Sequence, residues 1–328
     1  MEIKIKPFKN SSVSEISSLF NIVWEGQEYD DIVAKTNWAF FNDSSKVVLF
    51  ESNAELIAAR GAFEWPLCYN EKHLNTFQFH GTCVHPNFRR KGIFTSINKQ
   101  FLKEAQEEKF DLIFNVSVDS SRAGYEKLGW VYLKGFRRLT YINKPYSFFK
   151  SSFLKEQSQV VQKQKKHFSS SNKFNFIDKI PEEFLISRTE QFKNRLHTNY
   201  SEKFIEWRLN NPNENYKIFR GDDCVIVYKI KQVKSSKQLI IGDFFMLKKN
   251  YKTFRKNINL LMKYEEPTIT FTYSFNTHPY FKYYYRHFFL PNPFNYNLNF
   301  GLKTLNNKTR DFLLNKKWGL SFLDIDTF

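Results

Sequence analysis

The stretch that decides the fold is residues 84–94, which read Val-His-Pro-Asn-Phe-Arg-Arg-Lys-Gly-Ile-Phe. It follows an apolar, strand-like run at residues 76–84 and precedes a segment with helical periodicity. Three cations and a glycine therefore share one predicted strand-to-helix turn. The start of a helix offers free backbone N–H groups and the positive end of the helix dipole, so such a turn attracts anions.

The residue types in this turn suit phosphate groups. Gly92 lets the backbone approach a ligand closely, because glycine carries no side chain. Arg89, Arg90 and Lys91 add formal positive charge where a pyrophosphate would lie. We therefore predict a site for the phosphates of a nucleotide or a cofactor. The alternative is a basic surface turn that only caps a helix, because runs of basic residues are often solvated.

The following segments predict alternating helices and strands. Apolar residues recur at every fourth position after the turn, at Ile93, Ile97, Phe101 and Ala105. Residues 111–118 are typical of a second strand, residues 120–128 of a short helix, and Gly129 of its end. The order of strand, basic turn, helix, strand and helix indicates an α/β (α+β) fold.

Two segments resemble motifs of the GNAT superfamily of acyl-CoA-dependent N-acyltransferases: Arg89-x-x-Gly92, and Tyr-Glu-Lys-Leu-Gly-Trp from Tyr125 to Trp130. In that family an Arg/Gln-x-x-Gly-x-Gly/Ala turn binds the pyrophosphate of coenzyme A. The tyrosine of a Tyr-Glu-Lys-Leu-Gly-Phe segment lies beside the thioester sulfur and can protonate the leaving thiolate. Phe94 departs from the first motif, since the family has a small residue there.

The resemblance implies an acyl-CoA cosubstrate, acetyl-CoA or a short hydroxyacyl-CoA. Backbone N–H groups at Cys83–Val84 would stabilise the oxyanion, because splayed strands leave such groups unpaired. Asn115 would hydrogen-bond the pantetheine arm, unless it only ends its strand in a turn. Cys83 itself is expected to pack as a small core residue rather than act as a nucleophile. The predicted cofactor-binding residues are Cys83, Val84, Arg89, Arg90, Lys91, Gly92, Ile93, Phe94 and Asn115.

Amide formation requires an amine that loses a proton and a thiolate that gains one. Tyr125 is the predicted acid, with packing under a loop as its alternative role. His80 is the predicted base, since histidine titrates in the right range. Regular strand alternation would put His80 on the same face as Val84, where it could instead be buried. Glu64 is a second candidate base, and water alone is a third.

Composition and charge bound the class of protein. The length of 328 residues is enough for two domains, and 41% hydrophobic residues support well-packed cores. The formal charge of +17 fits a nucleic acid, an anionic membrane surface or anionic small molecules as partner. The basic residues are spread along the chain without a zinc-finger, helix-turn-helix or RNA-binding motif. We therefore rank phosphorylated metabolites above nucleic acids.

Three cysteines without metal-ligand spacing, Cys68, Cys83 and Cys224, fit a reducing compartment. Residues 1–11 are charged rather than apolar, and no stretch approaches the roughly 20 apolar residues of a membrane span. The sequence therefore predicts a cytoplasmic protein with no metal site and no membrane span.

A faint internal repeat predicts two GNAT-like domains in tandem, each a mixed, mostly antiparallel sheet flanked by helices. The repeated pairs are Trp38 with Phe50 and Trp207 with Phe219, and Tyr125 with Trp130 and Tyr284 with Phe289. Residues 1–146 would carry the acyl-CoA site, and residues 147–173 would form a linker. Residues 174–328 would lack the CoA turn and contribute to the acceptor pocket. Chance similarity is the alternative to a true repeat.

The acceptor is predicted from a further resemblance, to long GNAT proteins of bacterial surface-polysaccharide pathways. It rests on residues 92–94, Trp207-Arg208 with Asn211-Pro212, and Trp318-x-x-x-Ser321-x-x-Asp324-x-Asp326. It implies acyl transfer to the amine of a nucleotide-linked amino sugar, such as a dTDP-3-amino-3,6-dideoxyhexose for O-antigen or capsule. Asp324 and Asp326 would either touch sugar hydroxyls or close a domain edge.

Two other classes of function stay open. A Fem-type transferase that uses aminoacyl-tRNA would also carry paired GNAT-like halves and would suit a charge of +17. Such a protein is expected to lack a CoA turn, which this chain has, so it ranks second. A non-catalytic binding protein built on GNAT-like halves ranks third and would not bind CoA.

Overall fold

The computed structural model describes residues 2–9, 11–24, 26–40, 44–148, 175–291, 298–306 and 313–325. The chain divides into two compact units, each assembled from three stretches. Unit 1 comprises Met1–Lys134, Asn210–Asn213 and Leu298–Lys316, and unit 2 comprises Gly135–Leu209, Glu214–Asn297 and Lys317–Phe328. Most of the predicted linker, residues 149–173, lies outside the described residues.

Unit 1 is built on a mixed, mostly antiparallel sheet. Its strands are β1 (Lys4–Lys6), β2 (Ser45–Ser52), β3 (Glu55–Glu64), β6 (Thr76–Val84), β7 (Leu112–Ser117), β8 (Val131–Tyr132) and β17 (Asn299–Thr304). They lie in the order β1-β2-β3-β6-β7-β17-β8, and β6 and β7 run parallel. A hairpin, β4 (Leu67–Tyr69) and β5 (Lys72–Leu74), separates β3 from β6 in the chain. The helices are α1 (Ser12–Val23), α2 (Tyr29–Phe40), α3 (Ile93–Glu107) and α4 (Asp119–Lys127).

The apolar stripe of α3 forms the centre of the core in unit 1. Its buried residues include the four that the sequence periodicity predicted, Ile93, Ile97, Phe101 and Ala105. They pack with Tyr125 of α4 against the sheet face that carries Ala58 and Phe79. Each large apolar side chain buried in this way contributes roughly 1.5 to 3 kcal/mol. This core therefore fixes α3 against the sheet, and with it the position of the turn between β6 and α3.

Unit 2 contains a second sheet of the same kind. Its strands are β9 (Phe136–Ile142), β10 (Asn175–Ile177), β12 (Tyr216–Arg220), β13 (Cys224–Val233), β14 (Ser236–Met246), β15 (Ile269–Phe275) and β16 (Leu290–Pro291), and β11 (His197–Thr198) lies outside this sheet. The order is β10-β12-β13-β14-β15-β9-β16. The helices are α5 (Glu182–Phe192), α6 (Glu202–Leu209), α7 (Tyr251–Glu265) and α8 (Phe281–Arg286). No helix in the described part of the chain is long and apolar enough to cross a membrane.

The two sheets repeat one another strand by strand. In unit 1 the parallel pair β6–β7 is held by three residue pairs, and in unit 2 the parallel pair β14–β15 is also held by three. In both sheets the strand before the parallel pair joins it antiparallel, with one register shift. The predicted fold class is confirmed: two mixed, mostly antiparallel sheets flanked by helices.

The helix after each parallel pair ends in the same way. It stops at a left-handed residue, Gly129 with φ 77° in unit 1 and Phe288 with φ 61° in unit 2. The following aromatic residue then donates a hydrogen bond back to the helix. These bonds run from Trp130 N to Tyr125 O at 3.1 Å and from Phe289 N to Tyr284 O at 3.0 Å. The faint sequence repeat of a tyrosine five residues before an aromatic residue thus marks equivalent structure.

The sixth strand of each order comes from a distant part of the chain. In unit 1 it is β17, which pairs antiparallel with β7 over all six residues. In unit 2 it is β9, which pairs antiparallel with β15 over all seven residues. The predicted domains, residues 1–146 and 174–328, place β9 in the first domain and β17 in the second. Each sheet is therefore completed by a strand from the other half of the chain.

A fragment of residues 1–146 tests this exchange. It lacks β17, so β7 and β8 lose the strand that pairs with both, and we expect no cooperative unfolding transition by circular dichroism. The matched control joins residues 298–306 to the same fragment through a Gly/Ser linker, which restores the partner strand and a cooperative transition. A cooperative melt of the fragment alone would contradict the expectation.

Candidate functional site

A cleft of about 440 Å³ opens between the end of β6 and the start of α3. It is lined by Val23, Thr82, Cys83, Val84, Phe88, Arg89, Arg90, Gly92, Ile93 and Phe94. Seven of the nine predicted cofactor-binding residues are thus brought together there. The other two, Lys91 and Asn115, do not line this cleft, and neither do the predicted catalytic residues Tyr125, His80 and Glu64.

The backbone at the mouth of the cleft is shaped for an anion. Arg90 has φ 62° and Gly92 has φ 79°, so two left-handed residues curl the chain just before α3. Gly92 is the N-cap residue of α3 and makes no side-chain capping bond. A Cβ atom at Gly92 would meet nothing within 4 Å, so the space above the helix start is open. The N–H groups of the first turn therefore face room for a ligand.

The cations of the turn flank this space. Arg89 and Arg90 are exposed and line the cleft. Lys91 is also exposed, and its Nζ lies 5.2 Å from the centroid of the Phe88 ring. The turn thus combines formal positive charge with an uncapped helix start, and a phosphate group is the ligand that suits both.

The start of the equivalent helix in unit 2 is closed. Asn250 is the N-cap residue of α7, and its side chain accepts a hydrogen bond of 2.9 Å from the backbone N–H of Lys252. A side-chain cap satisfies an N–H group that an anion would otherwise bind. The start of α7 therefore differs from the start of α3, where no side chain caps the helix. The prediction is that the second half lacks a CoA turn, and this capped helix start is in line with it.

The floor of the cleft is an open strand edge. The last residue pair between β6 and β7 is Gln78 with Phe114. Beyond this pair, β6 continues to Val84 with β3 on one side only. The predicted splay of strands near Cys83 is therefore confirmed. Backbone groups on this free edge are available to a bound molecule.

A bulge in β6 determines which side chains face which way. Cys83 pairs with Ala59 of β3. The next pair is His80 with Gly61, so one residue of β3 lies opposite two of β6. Paired residues share a face of the sheet, so His80 and Cys83 share one face and Val84 lies on the other. The expectation that His80 and Val84 share a face is wrong, because the extra residue shifts the alternation.

His80 is buried among aromatic rings. Its ring centroid lies 4.7 Å from that of Phe63, 5.8 Å from Phe40 and 6.5 Å from Trp38. The residue is 8% exposed. These contacts correspond to the buried role that the sequence analysis left open for His80.

Glu64 lies at the far end of β3 from the cleft. It pairs with Phe77, five residues along β3 from the residue that pairs with Cys83. Five strand residues span about 17 Å. Burial, and then the neighbouring Glu108, raise the pKa of Glu64. The raised pKa would help a carboxylate act as a base, but Glu64 lies too far from the cleft to take a proton there directly.

Tyr125 lies beneath the cleft and is held from two sides. Its Oη accepts a hydrogen bond of 2.5 Å from Nη2 of Arg60. The ring of Phe94 meets the Tyr125 ring edge-on at 5.3 Å between centroids. Phe94 also lies over Gly124, where an added Cβ would come within 2.8 Å of its ring. Gly124 therefore makes room for the bulky residue that departs from the family turn.

Two buried polar atoms near the site have no hydrogen-bond partner among the described residues, Oγ1 of Thr82 and Oδ1 of Asn115. Thr82 lines the cleft, and Asn115 lies on β7 opposite Gly301 of β17. An unmet acceptor in a buried place costs free energy unless a ligand or water satisfies it. Both atoms therefore fit a ligand that carries hydrogen-bond donors, as the amides of a pantetheine arm do.

Cys83 is a neutral thiol in this setting. Burial raises its pKa to about 12, against an opposing effect of the charges on Arg60 and Arg89. A thiolate is the reactive form of cysteine, so Cys83 is unsuited to nucleophilic attack at neutral pH. No group of three or more His, Cys, Asp or Glu residues in the described ranges is placed to hold a metal ion.

Sequence reasoning missed Arg60 and Thr82. Arg60 carried a signal, because it is the one charged residue within the apolar run from residue 56 to residue 63. A charge in such a run is costly unless it has a specific contact. Thr82 carried no signal, since its position depends on the bulge.

A buried polar network lies beside the corresponding bulge of unit 2. Asp243 follows the register shift between β13 and β14, and its Oδ2 accepts bonds from Nε (3.1 Å) and Nη2 (2.8 Å) of Arg188. Oδ1 of Asp324 accepts from the Tyr200 hydroxyl at 2.6 Å, and its Oδ2 accepts from Ser321 N at 2.6 Å. Asp324 is fully buried, so it closes the edge of this unit rather than offering itself to a sugar. Asp326 lies outside the described residues.

The Arg188–Asp243 pair predicts a pH dependence of stability. Burial alone would raise the pKa of Asp243, but Arg188 and His278 outweigh it and lower the pKa. Asp243→Asn should therefore reduce the free energy of unfolding by roughly 3 kcal/mol at neutral pH, since it removes the nearer of the two buried carboxylates beside Arg188 and leaves only Asp324, at 3.8 Å. The gap between wild type and variant should shrink as the pH falls below about 4, because there the unfolded chain takes up a proton on Asp243 that the folded protein binds only at lower pH. Urea unfolding at pH 7 and near pH 3 measures it, and a gap independent of pH would contradict the prediction.

Comparisons with known proteins agree with this geometry. Residues 4–133 match the family model described as an acetyltransferase (GNAT) domain. No curated protein sequence matches the chain. A GCN5-related N-acetyltransferase from Anabaena variabilis has 9% identity, with 93% of this chain and 73% of that chain covered and a TM-score of 0.62. One from Kribbella flavida has 10% identity, coverage of 92% and 71%, and a TM-score of 0.62.

A third similar structure is N-myristoyltransferase from Saccharomyces cerevisiae with bound myristoyl-CoA. It has 11% identity, coverage of 92% of this chain and 82% of that chain, and a TM-score of 0.54. At these identities the likeness concerns the fold alone. The first part of the chain, residues 4–133, is thus similar in sequence to a GNAT acetyltransferase domain.

Proposed function

We propose that the protein transfers an acetyl or short hydroxyacyl group from acyl-CoA to the amine of a nucleotide-linked amino sugar. A dTDP-3-amino-3,6-dideoxyhexose is the proposed acceptor. The observation that carries the donor half is the cleft that joins an open strand edge to an uncapped, cation-flanked helix start. A phosphate-ended, amide-bearing thioester such as acyl-CoA has the matching groups in the matching order.

The donor would bind with its pyrophosphate at the start of α3. The N–H groups beyond Gly92 and the charges of Arg89 and Arg90 would meet the phosphate oxygens. The pantetheine arm would extend toward the gap between β6 and β7, where Thr82 of β6 and Asn115 of β7 have unmet acceptors. The thioester carbonyl would then lie near Cys83, with its oxygen toward the unpaired backbone of the splayed strand.

The chemistry would follow by direct attack. The amine nitrogen forms a bond to the thioester carbon, and the carbonyl oxygen carries the negative charge in the transition state. The C–S bond then breaks, and the thiolate sulfur takes the proton of the Tyr125 hydroxyl. The nitrogen gives its surplus proton to a base. His80 is enclosed by aromatic rings and Glu64 is remote from the cleft. Water would therefore take the proton from the nitrogen.

The acceptor half rests on different support. The long GNAT proteins that this sequence resembles act in surface-polysaccharide pathways, and an acceptor with a diphosphate suits a chain of charge +17. Aminoacyl-tRNA also suits that charge, but a transferase that uses aminoacyl-tRNA is expected to lack the CoA-type turn that this chain has. The nucleotide sugar is therefore the first acceptor to test.

Calorimetric titration with acetyl-CoA, repeated with a dTDP-3-amino-3,6-dideoxyhexose present, tests the proposal. We expect binding of both ligands in the micromolar range and release of free CoA thiol on mixing. CoA binding without release of CoA thiol would contradict the proposed acceptor. No CoA binding would overturn the donor site, and retention on tRNA that weakens steeply with salt would then favour the aminoacyl-tRNA alternative.

Gly92→Asp tests the phosphate site. The new carboxylate would face the phosphates, so we expect no detectable CoA binding by calorimetry. Gly92→Asn is the matched control, because asparagine has nearly the same shape, tolerates the left-handed backbone and meets the same open space. Gly92→Asn should bind CoA at least about tenfold more tightly than Gly92→Asp, and equal affinities would count against a phosphate at this turn.

Tyr125→Phe tests the proton donor. Loss of the hydroxyl should lower kcat by about 100-fold, the usual size of a general-acid contribution, with little change in affinity for CoA. Tyr69→Phe, on β4, removes a hydroxyl from a residue outside the cleft lining and outside the ring contacts of Tyr125, and it should leave kcat unchanged. Full activity of Tyr125→Phe would remove its role as acid.

A further inference from the structure

Arg60 is a buried cation that the reaction described so far does not use. It lies in β3 with 1% of its surface exposed. Its guanidinium carbon sits 4.0 Å from the centroid of the Phe79 ring, so the cation is stacked on an aromatic face. Its Nη2 reaches the Tyr125 oxygen at 2.5 Å. These contacts point the side chain toward α4, which lies on the same side of the sheet as Val84.

The bulge of β6 explains why Arg60 occupies this place. Arg60 lies in β3 between Ala59, which pairs with Cys83, and Gly61, which pairs with His80. It is therefore the single residue of β3 that lies opposite the two residues 81 and 82 of β6. The irregularity that offsets His80 from Val84 thus lies directly beside this residue, whose neighbour Ala59 pairs with the cleft-lining Cys83.

We propose that Arg60 is a positioning residue for Tyr125, which it holds as a donor aimed at the sulfur of the leaving thiolate. This inference rests on the proposed acyl transfer. Because Tyr125 Oη accepts from Arg60, its own hydrogen is left to donate to another group. Among the described residues no second partner of this hydroxyl is found.

Arg60 would also stabilise what the proton transfer leaves behind. When the C–S bond breaks, the sulfur gains the Tyr125 proton and negative charge develops on Oη. The Arg60–Oη hydrogen bond then becomes one between a cation and an anion, which is roughly twice as strong as a neutral one. Its gain is therefore greater in the transition state than in the ground state, which is the condition for a rise in kcat. Water returns a proton to Oη after the CoA thiol leaves.

The contact between Phe94 and Tyr125 completes the positioning. Phe94 lies in the first turn of α3, which is the turn proposed to hold the pyrophosphate. Its ring limits movement of the Tyr125 ring on one side, and the bond from Arg60 fixes the oxygen on the other. The phenol is thus oriented by one residue of β3 and one residue of α3.

A double-mutant cycle tests the proposal, with kcat measured for acetyl-CoA and the dTDP-amino sugar. Acetyl-CoA hydrolysis is measured in parallel, because the thiolate needs a proton whichever nucleophile attacks. Arg60→Met should lower kcat by about tenfold to hundredfold with CoA affinity unchanged by calorimetry. In a Tyr125→Phe background the same substitution should change kcat by less than about twofold, since its effect passes through the missing hydroxyl. Arg60→Lys keeps a charged donor and should recover part of the loss; it also serves if Arg60→Met does not fold.

Arg208→Met supplies the matched control. Arg208 is a fully buried arginine of unit 2 whose Nη1 donates to the Tyr216 hydroxyl at 3.0 Å. Its loss should lower the melting temperature, and any effect on kcat should add to that of Tyr125→Phe. Additive effects at Arg60, or equal losses of kcat and CoA affinity, would overturn the positioning role alone. Absence of both transfer and hydrolysis in the wild type would overturn the proposed function, and the role of Arg60 with it.

Discussion

Only three residue pairs hold β6 to β7 as parallel strands, and most of the site depends on where that pairing stops. Past Gln78 the two strands separate, so β6 has a free edge where a closed sheet would have a ladder of hydrogen bonds. Such an edge is costly to leave bare. It becomes useful where a ligand with amide groups can take the place of the missing strand. The cleft, its unmet acceptors and the uncapped start of α3 all lie at or near this opening.

The second unit has the same skeleton with a different outcome. Its parallel pair also ends after three residue pairs, yet the start of α7 is capped by Asn250 and the residue beside the bulge, Asp243, is paired with Arg188. A side chain of unit 2 therefore caps the helix start that is open in unit 1. The same strand order thus occurs with an open and with a capped helix start.

Local chemistry made much of this architecture predictable from sequence. The limits of β6, the buried stripe of α3 and the stop at Gly129 follow from periodicity and from glycine at a left-handed position. The errors and omissions share one cause, which is contact between distant residues. The bulge that turns His80 away from Val84 depends on pairing with β3, and the exchange of β9 and β17 depends on pairing across more than 100 residues. No local pattern records such pairing.

Phe94 shows how a departure from a motif should be weighed. A large residue at a position that is small in the family would, by itself, argue against a working turn. In this chain the ring lies over Gly124, where even a methyl group would collide with it, and against the edge of Tyr125. The bulk gained in α3 is thus matched by bulk absent in α4, and the turn keeps its shape. The shape of the turn therefore depends on Phe94 and Gly124 together, and the size of residue 94 alone does not determine it.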